Sequence, residues 1–97
     1  MNFEFHPQAL AEYEQAAHYY ASQQVGLEQH FMNAVEQTIQ KILDAPESWF
    51  ILKEDVRRCL TPTFPYAILY TTELDYVLII AVMHCHRKPD YWHSRLR

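Results

Sequence analysis

The residues best suited to proton transfer and anion binding lie together near the C-terminus, in the segment VMHCHRKPDYW at positions 82–92. His84 and His86 are two residues apart, so on a β-strand both side chains project from the same face, about 7 Å apart. Histidine changes its charge near neutral pH and can act as a general acid or base. Arg87 and Tyr91 follow closely. The segment therefore predicts a site at a strand end that a partner molecule can reach.

Structural roles compete with catalysis for several of these residues. His84 is as often a partly buried, hydrogen-bonded histidine as a catalyst. A metal site is not expected, because Cys85 would point to the opposite face and no third ligand follows at a spacing typical of zinc. Trp92 is expected to seal the edge of the core. Cys59 and Cys85 lack a C-x-x-C spacing and are expected to be reduced core residues.

A second set of candidate residues lies in DVRRCLTPTFPYAILY, positions 55–70. Arg57 and Arg58 are adjacent, so on a strand one of them faces the side of the strand-end histidines and the other faces away. A guanidinium group binds phosphate or carboxylate equally well, and an internal salt bridge is an open alternative for either arginine. Tyr66 can stack on a base or pack in the core. Target contacts are expected from four residues: Arg57, Tyr66, Lys88 and Arg95.

The elements that position these residues follow from periodicity. Apolar and polar residues alternate at positions 1–6, as in a short strand. At positions 7–24 and 27–46 apolar residues recur with a helical period; a turn at Gly26 separates the two helices and Pro46 ends the second. Strands are predicted at 55–61, 66–72 and 76–84. In the last strand Val77, Ile79, Ala81 and Met83 face one way and the intervening residues the other, so both faces are apolar and the strand is expected to be central.

The predicted fold class is α+β, with the order β-α-α-β-β-β. An N-terminal strand precedes an antiparallel helix hairpin, which packs on one face of an antiparallel sheet, and a short C-terminal tail follows. Residues 1–97 are expected to form one domain, because a chain of 97 residues has room for a single core. The longest apolar run is too short to span a membrane, and the N-terminus does not resemble a signal peptide, so a cytoplasmic location is expected.

The distribution of charge indicates where an anionic partner would bind. The net charge of -4 argues against a general nucleic-acid coat. Residues 1–52 contain seven acidic side chains and one basic side chain, whereas residues 53–97, which include Arg97, contain five acidic and seven basic. The C-terminal half is therefore the expected anion-binding half. No dinucleotide, P-loop or G-x-S-x-G motif occurs, so no nucleotide cofactor is expected.

The order of elements and four segments together resemble the RelE/ParE superfamily of bacterial type II toxin–antitoxin toxins, also called plasmid stabilisation proteins. Its most specific piece here is the C-terminal pattern H-x-x-R-x-P-x-Y-W-x-x-R, which begins at His84. The other pieces are FHPQALAEYEQAAHYY, GLEQHFMNAVEQTIQKI and RRCLTPTFPYAILY. The likeness implies a small growth-inhibiting toxin held silent by a cognate antitoxin, with no cofactor.

Two activities are implied by this resemblance. RelE-like members cleave mRNA on the ribosome without a metal, and by resemblance Arg58, Arg87 and Tyr91 would serve as phosphate-binding and catalytic groups, with His84 or His86 as general acid or base. ParE-like members instead bind DNA gyrase and block replication. The acidic charge departs from the basic character of the RNA-cutting members. A degenerate toxin that retains only antitoxin binding is the third alternative.

Overall fold

The computed structural model describes residues 1–96, and Arg97, which was counted in the basic half, lies outside the described residues. The chain forms the expected α+β fold. The elements are β1 (Asn2–Phe5), α1 (Pro7–Gln23), α2 (Leu27–Asp44), β2 (Phe50–Lys53), β3 (Val56–Leu60), β4 (Tyr66–Thr72), β5 (Tyr76–His84) and a 3₁₀ turn (His93–Arg95).

One five-stranded sheet has the order β1-β5-β4-β3-β2, and the helix hairpin packs against one of its faces. Strands β2 to β5 form an antiparallel meander, while β1 pairs with β5 in parallel. The short strand β2 was not predicted. Phe50 and Ile51 are both mostly exposed, so buried and exposed residues do not alternate along this strand. The fold class is confirmed, and the sheet is mixed at its N-terminal edge.

Local sequence signals explain how the helices begin. Pro7 opens α1, where its missing N–H costs no hydrogen bond, and the His6 ring accepts a hydrogen bond from the Gln8 amide at 3.1 Å. Gly26 lies between the helices at φ +84°, a left-handed conformation that favours glycine. The predicted turn at Gly26 is thus confirmed. No helix in residues 1–96 is long and apolar enough to cross a bilayer.

The core has two parts, one on each face of the sheet. On the helix side, Phe31, Val35 and Tyr70 belong to a cluster that includes buried residues of both helices. On the other face, which we call the open face, Leu69 and Trp92 belong to a second cluster that contains no helix residue. Strand β5 contributes to both clusters, as predicted for a central strand covered on both sides.

A β-bulge in β5 changes which residues share a face. Tyr70 pairs with Ile79 and Leu69 pairs with Ala81, so Ile80 is the extra residue. Val77, Ile79 and Val82 therefore belong to the helix-side cluster, whereas Ala81 packs on the open face. The prediction that Val77, Ile79, Ala81 and Met83 share one face was wrong beyond Ile79, because strict alternation does not hold across a bulge.

Candidate functional site

An internal ion pair closes the edge of β5 where β1 ends. Strand β1 pairs with β5 only as far as Ile79, so the following backbone has no strand neighbour on that side. Glu12 of α1 accepts a hydrogen bond from the Val82 amide at 3.0 Å, and Arg95 donates to the Ile80 carbonyl at 2.9 Å. The two side chains therefore satisfy backbone groups that a neighbouring strand would otherwise bind.

Glu12 and Arg95 also bind each other in a bidentate arrangement. Two guanidinium nitrogens of Arg95 donate to the two carboxylate oxygens of Glu12 at 2.9 and 3.0 Å. The Arg95 side chain is only 6% exposed and the Glu12 side chain 12%, so the pair is largely shielded from water. Burial alone would lower the pKa of Arg95, but the hydrogen bonds with Glu12 and the Glu12 charge outweigh that effect and raise it. Together with its bond to the Ile80 carbonyl, Arg95 thus directs three hydrogen bonds inside the protein.

Tyr91 packs between this ion pair and a second arginine. The guanidinium carbons of Arg87 and Arg95 lie 4.0 and 5.0 Å from the centre of the Tyr91 ring. The Tyr91 hydroxyl is buried and forms no hydrogen bond within the described residues. Burial raises the pKa of Tyr91 and the Glu12 carboxylate raises it further, while the two arginines lower it. Tyr91 is therefore neutral near pH 7.

Arg87 is the accessible cation of this cluster. Its side chain is 55% exposed, and a guanidinium nitrogen lies 3.9 Å from a Glu12 carboxylate oxygen. That distance is too long for a hydrogen bond, so the contact is a loose ion pair beside the tight one made by Arg95. Arg87 thus keeps donors free for an external anion.

His84 lies at the end of β5 on the helix side, next to Tyr66. The two rings meet edge to face with centroids 5.2 Å apart. The His84 Nδ1 atom accepts a hydrogen bond from the His86 amide at 3.1 Å, which in the neutral ring leaves the proton on Nε2. The exposed His86 ring lies 5.2 Å from His84. In this arrangement the Nε2–H group of the neutral ring donates a hydrogen bond and does not accept one.

A small cavity of about 200 Å³ brings part of this set together. Its lining combines one carboxylate, one histidine, one arginine and three tyrosines with small and apolar side chains. The lining residues are Glu12, Gln15, Ala16, Tyr19, Tyr66, Val82, His84, Arg87 and Tyr91. The cavity is therefore lined by His84, Arg87 and Tyr91 of the predicted catalytic set and also by the Glu12 carboxylate.

Arg57 and Arg58 lie on opposite faces of the sheet, as their adjacency predicts. Arg57 pairs across the strands with the helix-side residue Tyr70, and it donates to the Trp49 carbonyl at 2.8 Å. Arg58 pairs with Leu69 and therefore lies on the open face, away from His84. The sheet thus separates Arg58 from the cavity that contains His84, Arg87 and Tyr91, and His86 lies outside that lining.

The open face carries its own basic and aromatic surface, which we call the open-face patch. The Arg58 guanidinium lies 4.7 Å from the Phe50 ring centre, and Phe50 and Leu60 are each 57% exposed. Strand register places Leu60 beside Ala67 and Lys53 beside Val56, both of which belong to the open-face cluster. Lys53 and Lys88 line a shallow depression next to Trp92. The patch comprises Phe50, Lys53, Arg58, Leu60 and Lys88.

The structure assigns packing roles to three other residues. Trp92 is 1% exposed and donates to the Pro89 carbonyl at 2.7 Å, which confirms the expected structural role. Cys59 is buried, and burial raises the pKa of its thiol, whereas Cys85 is exposed and is not the core residue that was expected. Within residues 1–96 no cluster of His, Cys, Asp or Glu side chains has the geometry of a metal site.

Glu12 is the residue of this site that the sequence did not indicate. It lies on α1, which the sequence indicated only as a helix, and its partner Arg95 is 83 positions away. Neither residue belongs to a local motif that links the two. The internal salt bridge that the sequence left open concerned Arg57 and Arg58, whereas Arg95 was expected to contact the target.

Comparison with known proteins adds a family and a fold. A family model of the ParE toxin of the type II toxin-antitoxin system parDE matches residues 3–89. A solved structure of the chromosomal ParDE TA system from P. aeruginosa includes a chain that is similar, with a TM-score of 0.62 and 11% identity, over 87% of this chain and 95% of that chain. No curated protein matches by sequence. At 11% identity the structural likeness concerns the fold alone.

Proposed function

Since the chain belongs to the ParE toxin family of type II toxin–antitoxin systems, we propose that it inhibits growth by binding a protein target rather than by cleaving RNA. A toxin of this class has a cognate antitoxin as its partner. The target that we propose is DNA gyrase, which ParE-like members bind according to the resemblance described above. No cofactor takes part in this proposal.

The observation that carries the proposal is the burial of Arg95 and Tyr91 against Glu12. Metal-free RNA cleavage requires a base for the 2′-hydroxyl, cations for the phosphate and an acid for the leaving oxygen. Arg95 forms hydrogen bonds with Glu12 and with the Ile80 carbonyl, and the Tyr91 hydroxyl is buried, so neither group is presented to a phosphate. The Glu12 carboxylate would also repel a phosphate that approached Arg87.

The remaining candidate groups do not converge on one place. His84 and Arg87 line the cavity on the helix side, whereas Arg58 lies on the open face. In the neutral His84 ring Nδ1 accepts from the His86 amide and Nε2 carries the proton, so neither nitrogen is a free acceptor for the 2′-hydroxyl. The net charge of -4 also weakens attraction to a polyanion such as ribosomal RNA.

The open-face patch has the composition of a surface that binds protein. Phe50 and Leu60 expose more than half of their surface, and Arg58 stacks on Phe50. Aromatic and arginine side chains dominate the binding energy of many protein interfaces, and arginine also pairs with acidic groups of a partner. We therefore assign contact with the target to Arg58, Phe50 and Lys88, and an internal positioning role to Arg95.

The experiment is to induce the protein without its antitoxin and to pulse-label DNA with thymidine and protein with methionine. Thymidine incorporation is expected to fall first, and purified protein is expected to inhibit DNA supercoiling by purified gyrase. An early fall in methionine incorporation, accompanied by cleaved mRNA, would instead assign the His84 and Arg87 cavity to a ribosome-dependent nuclease. Unimpaired growth would identify a degenerate toxin.

A further inference from the structure

The β2 edge of the sheet exposes apolar side chains on both of its faces. Phe50 and Ile51 of β2 are 57% and 54% exposed, and Leu60 of β3 is 57% exposed. Phe50 pairs with Arg58 and therefore lies on the open face, whereas Ile51 pairs with Arg57 and lies on the helix side. Large apolar residues exposed together at a sheet edge are typical of a site that binds another polypeptide.

The backbone of β2 is free to bind a further strand. Within residues 1–96, β2 lies at the end of the strand order and pairs only with β3. The Thr61 amide donates to the Tyr66 carbonyl, one step beyond the last β3–β4 pair, so by alternation Arg58 directs its own amide and carbonyl toward β2. Phe50, the partner of Arg58, binds β3 in return. The N–H and C=O groups of Ile51 therefore point away from the sheet.

The open-face side of this edge is basic. Arg58 extends over the Phe50 ring, with its guanidinium carbon 4.7 Å from the ring centre, so its charge lies at the edge strand rather than over β3. Lys53 and Lys88 line a depression on the same face, in which Asp90 is the one carboxylate. In the part of the chain that the structure describes, none of the three cations takes part in an ion pair. Acidic groups of a partner would therefore meet unpaired cations here.

The helix side of the same edge is acidic. A depression beside Ile51 contains three carboxylates and one guanidinium, and its lining is Glu47, Ile51, Glu54, Asp55, Arg57 and Thr72. Arg57 already donates to the Trp49 carbonyl at 2.8 Å. Two copies of the chain joined edge to edge in antiparallel order would continue each face of the sheet, so basic groups would meet basic groups and acidic groups would meet acidic ones. The charge pattern thus favours a different partner over a second copy.

We propose that β2 binds an acidic, extended segment of the target protein as a sixth strand of the sheet. The backbone of this segment pairs with the N–H and C=O groups of Ile51. On the open face its acidic side chains lie beside Lys53 and Arg58, and on the helix side an apolar side chain packs against Ile51. The inference rests on the proposed function, since it specifies how the open-face patch contacts a protein target, but it does not depend on that target being gyrase.

Amide exchange tests the strand contact directly, with purified gyrase as the probe. The Ile51 amide is expected to exchange at least about tenfold more slowly in the complex than in the free chain, because it becomes hydrogen-bonded. The Phe3 amide is the internal control. It points outward from the opposite edge strand, by alternation from the His6 amide that binds the Ile79 carbonyl, and it should change less than about twofold. Unchanged exchange at Ile51 in a stable complex would overturn the proposal.

A proline at the outward-facing position tests the backbone pairing by activity. Ile51→Pro removes the outward N–H group, and an edge strand tolerates proline where that group faces solvent, so thermal unfolding should match that of the parent. The protein concentration that half-inhibits gyrase is expected to rise about tenfold or more. Phe3→Pro makes the same change on β1, and Ile51→Val keeps the amide, so each should alter this concentration less than about twofold. Equal effects of the two prolines would contradict strand addition at β2.

A charge reversal tests the acidic character of the segment and leaves the backbone intact. Lys53→Glu is expected to raise the half-inhibiting concentration about tenfold or more, because the new carboxylate would repel the acidic side chains. Lys41→Glu makes the same change on an exposed part of α2 outside this depression and should alter the concentration less than about twofold. Stronger inhibition by Lys53→Glu, or equal effects of the two reversals, would contradict an acidic segment.

The remaining outcomes separate this inference from the choice of gyrase. If the parent protein does not inhibit gyrase, that target is refuted, and growth inhibition in cells that lack the antitoxin becomes the readout for the same variants. Loss of growth inhibition in Ile51→Pro but not in Phe3→Pro would then support the β2 edge, whereas retention in both would overturn it. Dimers of the free chain that Ile51→Pro dissociates would overturn it in favour of a second copy. A parent protein that does not inhibit growth would overturn both proposals.

Discussion

The Glu12 carboxylate and the Arg95 guanidinium form a bidentate pair, at 2.9 and 3.0 Å, that joins the first helix to the last described turn of the chain. Each partner also binds backbone of β5, Glu12 at the Val82 amide and Arg95 at the Ile80 carbonyl. The pair thus supplies hydrogen bonds to the β5 backbone groups at and beside the bulge at Ile80. We infer that this pair anchors the C-terminal segment that carries Arg87 and Tyr91.

Glu12→Gln is expected to lower the free energy of unfolding by about 3 kcal/mol, because it leaves the guanidinium of Arg95 buried without an opposite charge. Urea unfolding followed by circular dichroism measures the change. Glu14→Gln, at an exposed position of the same helix, is the control and should change stability by less than about 0.5 kcal/mol. Equal stability of the two variants would show that the pair does not anchor the segment.

Alkaline pH is expected to destabilise the protein through Tyr70, whose side chain is buried. Burial, and to a smaller extent Cys59, raises the pKa of Tyr70 from 10.0 to about 12, against the opposing effect of Arg57. Below pH 10 the residue is neutral in both states. Between about pH 10 and 12 the unfolded chain loses this proton while the folded chain keeps it, so the free energy of unfolding falls, by about 2 kcal/mol at most.

The measurement is the urea midpoint from pH 8 to pH 12, with tyrosinate absorbance at 295 nm recorded alongside. Tyr70→Phe removes this titration and is expected to reduce the alkaline decline, of which Tyr91 supplies a further part because its pKa is raised as well. At neutral pH it should cost about 1 kcal/mol, because the Pro46 carbonyl loses its hydrogen bond from the Tyr70 hydroxyl. An equally steep decline in the variant would assign the effect to other groups.

Trp92 is expected to be the more important of the two tryptophans for stability. It is 1% exposed in the open-face cluster, whereas Trp49 is only partly buried. Trp92→Ala should therefore cost about 3 kcal/mol or more, with Trp49→Ala costing clearly less. Thermal unfolding of the two variants checks the order. The reverse order would indicate that the C-terminal segment packs only loosely on the sheet.

Gly26 is expected to tolerate side chains according to their preference for left-handed backbone. A Cβ atom built at Gly26 meets no other atom within 4 Å, so the cost of substitution is conformational rather than steric. Gly26→Ala should lower the free energy of unfolding by about 1 kcal/mol, and Gly26→Asn by less, because asparagine adopts positive φ more readily. Urea unfolding of the two variants tests this order, which equal stability would contradict.

The sequence predicted the elements well wherever their own residues determine them. Strands β4 and β5 begin and end where their apolar runs do, and Pro7 and Gly26 mark the helix boundaries. Features that depend on distant contacts were not predictable. The bulge at Ile80 depends on pairing with β4, and the parallel pairing of β1 depends on the path of the whole chain.

The candidate site was predictable only as a set of residue types. The end of β5 and the segment after it do carry the histidine, arginine and tyrosine that line the cavity. Its electrostatics, however, depend on Glu12, which the chain brings to Arg95 from 83 positions away. The bulk distribution of charge gave no indication of this contact, since it placed Glu12 in the acidic half and Arg95 in the basic half.

Arg58 and His84 lie on opposite faces of the sheet, so their variants separate the two modes of growth inhibition. Arg58→Ala is expected to raise the protein concentration that half-inhibits gyrase by about tenfold or more, because arginine contacts often dominate protein interfaces. His84→Gln should change that concentration by less than about twofold, since the proposed target-binding surface does not include the cavity. Both proteins must first show the same thermal unfolding as the parent. If His84→Gln instead abolishes growth inhibition while Arg58→Ala retains it, inhibition arises from the cavity, and the nuclease alternative replaces the proposed one.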